Sequence, residues 1–268
     1  SKNPRRSQVA LDFPALLTDL RAESNHLIAV LRGLSADQWA LPTPAPGWTV
    51  ADQVSHLAFF DDSARLALTD AEQFRTEADA LMTGGMDFPD RIADEHRGDS
   101  PEFLLGWFAR SRAALLDAFA ADDPKRRLPW FGPDMSVASS ATARMMETWA
   151  HGQDVYDTLG LAHPPSRGLR SIAHLGVATF AFCHRNNGLP VPDEPVRVAL
   201  DSPDGELWTW GPDDADNVVC GPATDFVLAV TQRRHWSETG LTVDGPVARA
   251  WLDIAQAFAG APSRRIAG

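Results

Sequence analysis

Residues 138–160, ASSATARMMETWAHGQDVYDTLG, predict a long helix that carries two chemically active side chains on one face. Glu147 and His151 are four residues apart, a spacing that places both side chains on the same side of a helix. Ala150 and Val155 fall on that side as well, so it should face a protein core rather than solvent. Such a helix needs partner helices to cover its apolar face, so we expect further helices in this part of the chain.

Three other long helical segments precede it. Apolar residues at spacings of three and four predict them at residues 10–33, 50–69 and 101–121. Thr49 and Ser100 are suitable N-caps for the second and third, because their hydroxyl groups accept hydrogen bonds from free amides of the first turn. Residues 70–100 are expected to add one or two short helices, and residues 122–136 to form a loop. Four long helices without a convincing strand predict a four-helix bundle.

The remainder of the chain has a mixed pattern. Helices are predicted at residues 169–185, 222–233 and 246–258, and short strands at 196–200, 206–210, 218–220 and 241–243. Residues 163–168 contain two prolines and a glycine, a composition typical of a linker. The predicted fold class is therefore α+β. It comprises a four-helix bundle at residues 9–162 followed by a small α+β domain at residues 168–262.

The charge balance argues against two classes of partner. The chain has 24 Lys and Arg against 36 Asp and Glu, a net charge of −12. Nucleic-acid binding and docking on an anionic membrane both need a clustered basic surface, so neither partner is expected. No apolar run reaches the roughly 18 residues of a membrane span. We therefore expect a cytoplasmic protein, monomeric or homodimeric, in which residues 1–8 form a loose tail.

Cysteine content excludes two kinds of stabilisation. The two cysteines, Cys183 and Cys220, are far apart and form no CxxC pair. A disulfide scaffold and a thiolate zinc site are both excluded on this ground. We expect two buried free thiols, with a single bridge between them as the alternative.

A third polar residue suits the Glu147 and His151 pair. His56 lies on the predicted helix 50–69, again among apolar residues. Two imidazoles and one carboxylate aimed into one bundle core would hold a divalent metal and leave coordination positions open, as in catalytic zinc sites. The same ligand set also serves non-haem Fe(II). Spacing alone leaves the ordinary interpretation open, in which His56 is a hydrogen-bonded core residue and the other two form an exposed ion pair.

Two motifs in these helices resemble a known family. Residues 46–57, PGWTVADQVSHL, resemble the first signature of DinB-like metalloenzymes, and Glu147-x-x-x-His151 resembles the second. Over residues 10–260 the chain most resembles the mycothiol-dependent maleylpyruvate isomerase family, in which a DinB-like bundle precedes a sterol-carrier-like α+β domain. The motifs TQRR at 231–234 and IAQAFAG at 254–260 are similar to those of an uncharacterised actinobacterial subfamily.

The resemblance implies a metal, a thiol and a catalytic arginine. It assigns His56, Glu147 and His151 as ligands of a divalent metal, with Zn²⁺ as the first choice, and mycothiol as co-substrate. The family also has an arginine of the second domain near the active site. Arg233 and Arg234 are the candidates for this catalytic role, with an arginine that satisfies helix-end carbonyls as the alternative.

These features predict a metal- and mycothiol-dependent S-transferase or isomerase that acts on a small electrophilic substrate through a metal-bound thiolate. Two other functions stay open: a thiol-independent metalloenzyme that uses metal-bound water or Fe(II), and a non-catalytic protein that sequesters a ligand. Thiol dependence of activity separates the first function from the second, and absence of metal would favour the third. The motifs do not identify the electrophile or decide between isomerisation and S-transfer.

Aromatic residues and one further histidine are additional candidates for the site. Among the nine tryptophans, a pocket wall could be formed by Trp48, Trp107, Trp130 and Trp149. Core packing is the ordinary alternative for such residues. His235 follows the arginine pair and is a candidate for the lining of a cleft.

Overall fold

Long helices form the first half of the protein. The computed structural model describes residues 11–268, so the tail predicted at residues 1–8 lies outside the described residues. The long helices are α1 (Phe13–Arg32), α3 (Val50–Thr69), α6 (Pro101–Ala120) and α7 (Val137–Leu159). Shorter helices lie between them: α2 (Ala36–Trp39), α4 (Ala71–Thr83) and α5 (Phe88–Glu95). The predicted four-helix bundle is confirmed.

Local capping fixes where these helices begin and end. Thr49 and Asp52 form a capping box at the start of α3, in which each side chain accepts a hydrogen bond from the other residue's amide. Ser100 accepts from the amide of Phe103 at the start of α6. Gly160 ends α7 with φ of 65°, a conformation that glycine adopts without strain. The caps therefore define the start of α3 and α6 and the end of α7.

A charged network inside the bundle touches all four long helices. Arg112 on α6 donates to both carboxylate oxygens of Asp61 on α3, from Nε at 2.7 Å and from Nη2 at 2.9 Å. Its guanidinium also donates to Ser24 on α1 at 2.6 Å and to Thr148 on α7 at 2.9 Å. The Arg112 side chain is 2% exposed and that of Asp61 0%. The Arg112–Asp61 pair neutralises both buried charges. Together with the bonds to Ser24 and Thr148, it connects all four long helices.

One element of the first half differs from the prediction. Residues 122–136, expected to form a loop, contain the antiparallel strands β1 (Arg127–Leu128) and β2 (Met135–Ser136). Two-residue strands are too short for an alternating pattern to be visible in the sequence. The turn between them brings two rings into a cluster of aromatic side chains beside the bundle, which consists of Phe60, Phe74, Phe88, Trp130 and Phe131.

The second half contains a small mixed sheet and four helices, as the α+β prediction requires. The strands are β3 (Val196–Asp201), β4 (Leu207–Trp210), β5 (Asn217–Pro222) and β6 (Thr242–Asp244). They pair in the order β4-β3-β5-β6, with β3 and β5 parallel and the outer pairs antiparallel. The helices are α8 (Leu169–Ala178), α9 (Phe180–Asn186), α10 (Ala223–Val230) and α11 (Pro246–Ile254), with a 3-10 turn at Trp236–Glu238.

In this half, three helices differ in their bounds from the prediction, and one cysteine is less buried than predicted. The helix expected at residues 169–185 is interrupted at Thr179, which ends α8 and precedes α9. The helices expected at 222–233 and 246–258 end earlier, so that both candidate arginines lie beyond the end of α10. Both cysteines are free thiols, but Cys220 is only half-buried, unlike the buried Cys183.

One hydrophobic core runs from the bundle into the second half. It includes buried side chains from both, such as Leu16, Met145, Leu169, Val198 and Trp251. Residues 161–168 between the halves contain no helix or strand. The domain limits 9–162 and 168–262 stay a prediction, because a shared core does not mark where one folding unit ends. Among residues 11–268, no helix combines the length and apolar character needed to cross a membrane.

Candidate metal centre

The three predicted ligand residues come together in the bundle. His56 on α3 and the pair Glu147 and His151 on α7 each offer one ligand atom, and these atoms all lie within 4.8 Å of one another. Oε2 of Glu147 lies 2.9 Å from Nε2 of His151 and 3.6 Å from Nε2 of His56. The centroids of the two imidazole rings are 4.2 Å apart. We refer to these three residues as the triad.

The protonation states of the triad suit metal binding. Burial and, second, the nearby His151 lower the pKa of His56 to about 4. Burial by itself would raise the pKa of Glu147, but hydrogen bonds from His151 and His56 outweigh it and hold that pKa well below its usual value. At neutral pH the site therefore contains a neutral His56 imidazole and a charged carboxylate, which are the forms that bind metals.

A chain of hydrogen bonds orients His151. Its Nδ1 is hydrogen-bonded to Oε1 of Gln53, whose amide nitrogen donates to Oγ1 of Thr43 at 3.0 Å. The Thr43 hydroxyl donates in turn to the carbonyl of Trp48 at 2.8 Å, so towards Gln53 it acts as the acceptor. Oε1 of Gln53 therefore faces His151 and accepts from Nδ1–H. Nε2 of His151 is left to face the Glu147 carboxylate, the arrangement found for metal-ligating histidines.

The donor set fits a divalent cation. With Nδ1–H used on Gln53, Nε2 of His151 needs either a second proton or a shared cation to lie 2.9 Å from the Glu147 carboxylate. Nδ1 of His56 is buried and has no hydrogen-bond partner among the described residues, and Nε2 is the nitrogen that faces the Glu147 carboxylate, at 3.6 Å. Two imidazole nitrogens and one carboxylate oxygen match three-ligand sites that keep an open position.

Gln53 was missed by the sequence analysis, and its replacement gives a first testable prediction. Gln53→Leu keeps a similar volume but removes the acceptor for His151, and it should lower zinc affinity roughly ten- to hundredfold, the usual cost of losing an outer-shell partner. Gln53→Glu keeps an acceptor and should retain zinc. Competition with a chromophoric chelator measures both affinities. Equal zinc affinity in Gln53→Leu and the wild type would show that this hydrogen bond does not organise the site.

Aromatic rings line the triad and leave it partly open. The ring of Trp48 lies 5.1 Å from that of His56 and 5.9 Å from that of His151, and Phe60 lies 4.7 Å from His56 on the other side. The triad side chains are 13–19% exposed, so part of each is accessible to water. Of the four tryptophans proposed as a wall, Trp48 therefore takes this position.

The other three tryptophans and His235 make no ring contact with the triad among the described residues. Trp149 is 1% exposed and packs in the core. The indole of Trp107 donates to Asp62, and Trp130 belongs to the aromatic cluster. His235 is paired with Asp253 at 3.2 Å and does not contact the triad.

The two candidate arginines pair with carboxylates of α7. Arg233 donates to both oxygens of Asp154, at 3.2 and 2.8 Å. Arg234 makes two hydrogen bonds to Asp157, at 2.8 and 2.7 Å. Asp154 follows His151 by three residues, so the carboxylate that Arg233 binds projects from α7 about one helical turn beyond that ligand. Neither guanidinium contacts the triad, and the catalytic role of both residues stays a prediction.

Gln232 explains how two adjacent arginines reach the same helix. Its φ is 60°, in the left-handed region that residues other than glycine rarely adopt. The amides of Arg233 and Arg234 then both donate to the carbonyl of Leu228, at 2.8 and 3.2 Å, which closes the end of α10. The side-chain amide of Gln232 is held by two carbonyls of the C-terminal segment, at 2.9 and 2.8 Å.

A cavity of about 330 Å³ lies where the two halves meet. The loop at residues 44–46 forms one wall, and Asp154 and Asp157 of α7 form another. The second half contributes several polar side chains, which are Thr231, Gln232, Arg233, Arg264 and Arg265. No triad residue lines this cavity, which begins about one helical turn beyond His151.

The family model of the mycothiol maleylpyruvate isomerase N-terminal domain matches residues 20–156, a range that contains the whole triad. The chain belongs to the mycothiol maleylpyruvate isomerase family. Two family relatives are uncharacterized proteins of Mycobacterium tuberculosis, from strains CDC 1551 / Oshkosh and H37Rv. Each is 48% identical to this chain over 248 residues, which is 92% of this chain and 96% of the relative.

Solved structures support the same fold. Two crystal structures of the mycothiol-dependent maleylpyruvate isomerase, one of them a histidine-to-alanine mutant, match with a TM-score of 0.57 and 18% identity. The match covers 87% of this chain and 93% of the isomerase chain. At this identity the likeness concerns the fold, and it extends through both halves of this family member.

Proposed function

We propose that this protein is a metal- and mycothiol-dependent enzyme that either joins the thiol to a small electrophile through sulfur, as an S-transferase, or isomerises the electrophile. The observation that carries the proposal is the convergence of His56, Glu147 and His151 within 4.8 Å of one another. Family membership supports the proposed dependence on mycothiol, because a solved protein of the same fold is a mycothiol-dependent maleylpyruvate isomerase.

The residues of the chain prepare the triad for this chemistry. A divalent metal held by His56, Glu147 and His151, for which zinc is our first choice, would offer an open position that acidifies a bound thiol. Gln53 holds His151 in the tautomer that leaves Nε2 available. The Trp48 and Phe60 rings pack against the imidazoles and limit water on those sides. Glu147 contributes the one negative charge of the triad.

Arg233 is the proposed source of positive charge at the cavity where the two halves meet, and Arg234 lies beside it in sequence. Arg233 is the nearer candidate, because its Asp154 partner lies one turn beyond His151 and because both line the cavity. A fixed cation at that place stabilises negative charge that develops on the electrophile. Arg234 is the second candidate, and its pairing with Asp157 also holds the second half on α7.

Turnover of a suitable electrophile is expected to depend on mycothiol. A free thiol with a pKa near 8.5 is only a few per cent ionised at neutral pH, whereas a metal-bound thiol is ionised outright, an enrichment of about tenfold or more. The measurement is a screen of activated alkenes, epoxides and alkyl halides with zinc-loaded protein, in the presence and absence of mycothiol. Products are identified by mass spectrometry.

The same screen separates the two reactions. In isomerisation the thiolate adds to one carbon of the alkene, the resulting single bond rotates, and the thiolate leaves, so free thiol is conserved. In S-transfer the thiolate displaces a leaving group and thiol is consumed. Unchanged turnover after removal of every low-molecular-weight thiol would contradict the proposal. Full activity of both Arg233→Ala and Arg234→Ala would contradict only the arginine role.

A further inference from the structure

Arg144 is a buried cation without an ionic or hydrogen-bond partner among residues 11–268. It lies on α7, one turn before Glu147, and is 4% exposed. Its Nη1 atom is buried without a hydrogen-bond partner, and among residues 11–268 no carboxylate lies within 4.0 Å of its guanidinium. The buried Arg112 differs, because it is paired with Asp61 and bonded to two hydroxyl groups. An unpaired buried charge is costly, so Arg144 points to an anion that the chain itself does not supply.

The guanidinium of Arg144 belongs to the triad side of α7. Spacings of three and four residues put Arg144, Glu147 and His151 on one stripe of the helix. Burial is the main cause that lowers the pKa of Arg144, and the charges of Glu147 and Asp61 act in the opposite direction. Arg144 is also among the charges that lower the pKa of His56, after burial and His151. Its charge therefore acts on two of the three triad residues.

Trp130 shields one face of this guanidinium. Cζ of Arg144 lies 5.2 Å from the ring centroid of Trp130, which is itself stacked on Phe74 in the aromatic cluster. A ring in this position leaves the N–H edge of the guanidinium as the part that can bind a ligand. Such an edge has the planar fork geometry that matches a carboxylate.

We propose that Arg144 is an anion-binding residue of the site and that it receives a carboxylate of the small-molecule substrate. Burial and the Trp130 ring limit water at the guanidinium, which strengthens a pair between opposite charges. The bound anion would supply the partner that Arg144 lacks in the chain. The role of Arg144 in the reaction rests on the proposed function. The binding of an anion by Arg144 does not depend on it.

Malonate is a suitable probe, with malonamide as its uncharged counterpart. At fixed ionic strength and matched zinc content, malonate should raise the unfolding temperature of the wild type, whereas malonamide should not. Arg144→Met keeps an apolar stem and removes the charge, so calorimetric titration should show malonate affinity roughly ten- to hundredfold lower. Arg65→Met removes an exposed arginine of α3 and should bind malonate as the wild type does.

Stability without ligand distinguishes an anion site from a structural role. Arg144→Met without malonate should unfold at the wild-type temperature or above it, because it removes a buried charge that has no partner. A lower unfolding temperature with unchanged malonate affinity would indicate a structural arginine and overturn the proposal. Absence of malonate binding to the wild type would also overturn it.

A second variant and the zinc content complete the test. If Arg144→Met does not fold, Arg144→Lys replaces it, and the loss of the planar fork should still weaken malonate binding several-fold. Equal malonate affinity in Arg144→Lys and the wild type would then overturn the proposal. Zinc measured on the same samples distinguishes a failure of the proposed function from a failure of the Arg144 assignment. Absence of zinc in the wild type contradicts the proposed function, whereas retained zinc with unchanged malonate affinity contradicts only the role of Arg144.

Discussion

Replacement of His56 or His151 by alanine is expected to strip the metal from the protein and abolish turnover. Each variant leaves two of the three ligand residues, so the loss of affinity should exceed the roughly ten- to hundredfold cost of removing an outer-shell partner. The helices should persist, because α3 and α7 are also held by the Arg112 network and by the apolar core.

Elemental analysis after purification in zinc measures this effect, with circular dichroism as the check on helicity. His26→Ala is the matched control, since it removes an exposed histidine of α1 and should leave the metal content unchanged. If the alanine variants lose helicity, Glu147→Gln provides a more conservative ligand change and should also lose the metal. A full complement of zinc in both histidine variants would contradict the ligand assignment.

Breaking the charged network of the bundle should have the largest effect on stability. Arg112→Met leaves the Asp61 carboxylate, 0% exposed, without its cation, and it removes the donors that reach Ser24 and Thr148. Loss of one partner of a buried ion pair costs roughly 3–5 kcal/mol in free energy of unfolding. Because the network touches all four long helices, the loss concerns the whole bundle rather than one helix.

Urea unfolding provides the measurement, and the chain offers two comparisons. Arg126→Met breaks a pair with Asp122 in which the arginine side chain is 40% exposed, so its cost should be about 1 kcal/mol or less. The double variant Arg112→Met with Asp61→Leu should recover part of the lost stability, because no charge is left buried. If Arg112→Met lowers the free energy of unfolding no more than Arg126→Met does, the network does not hold the helices together.

The bundle could be predicted because its helices carry local signals at their ends. Thr49 and Asp52 start α3 and Gly160 ends α7 through bonds between residues close in sequence. The strands β1 and β2 carry no such signal, since each has two residues. The interruption at Thr179 has no proline beside it, and the nearest glycine, Gly176, lies inside the last turn of α8 rather than at the break. Tertiary packing decides such positions.

The candidate site was predictable to the extent that its residues lie on one helix. Glu147 and His151 follow from helical spacing, whereas the meeting of His56 with them depends on how α3 packs against α7. Gln53 precedes His56 by three residues, but its contact with His151 is tertiary and an amide is not a usual metal ligand. Arg233 was expected at a helix end, and its pairing with Asp154 has no counterpart in the local sequence.

The left-handed turn at Gln232 has a consequence for how the two halves can move. It directs Arg233 and Arg234 to Asp154 and Asp157, which lie three and six residues after His151 on the same rigid helix. A small rotation or axial shift of α7 would therefore displace the imidazole and both carboxylates together. We therefore expect a change in the position of the second half at these two ion pairs to shift His151 as well.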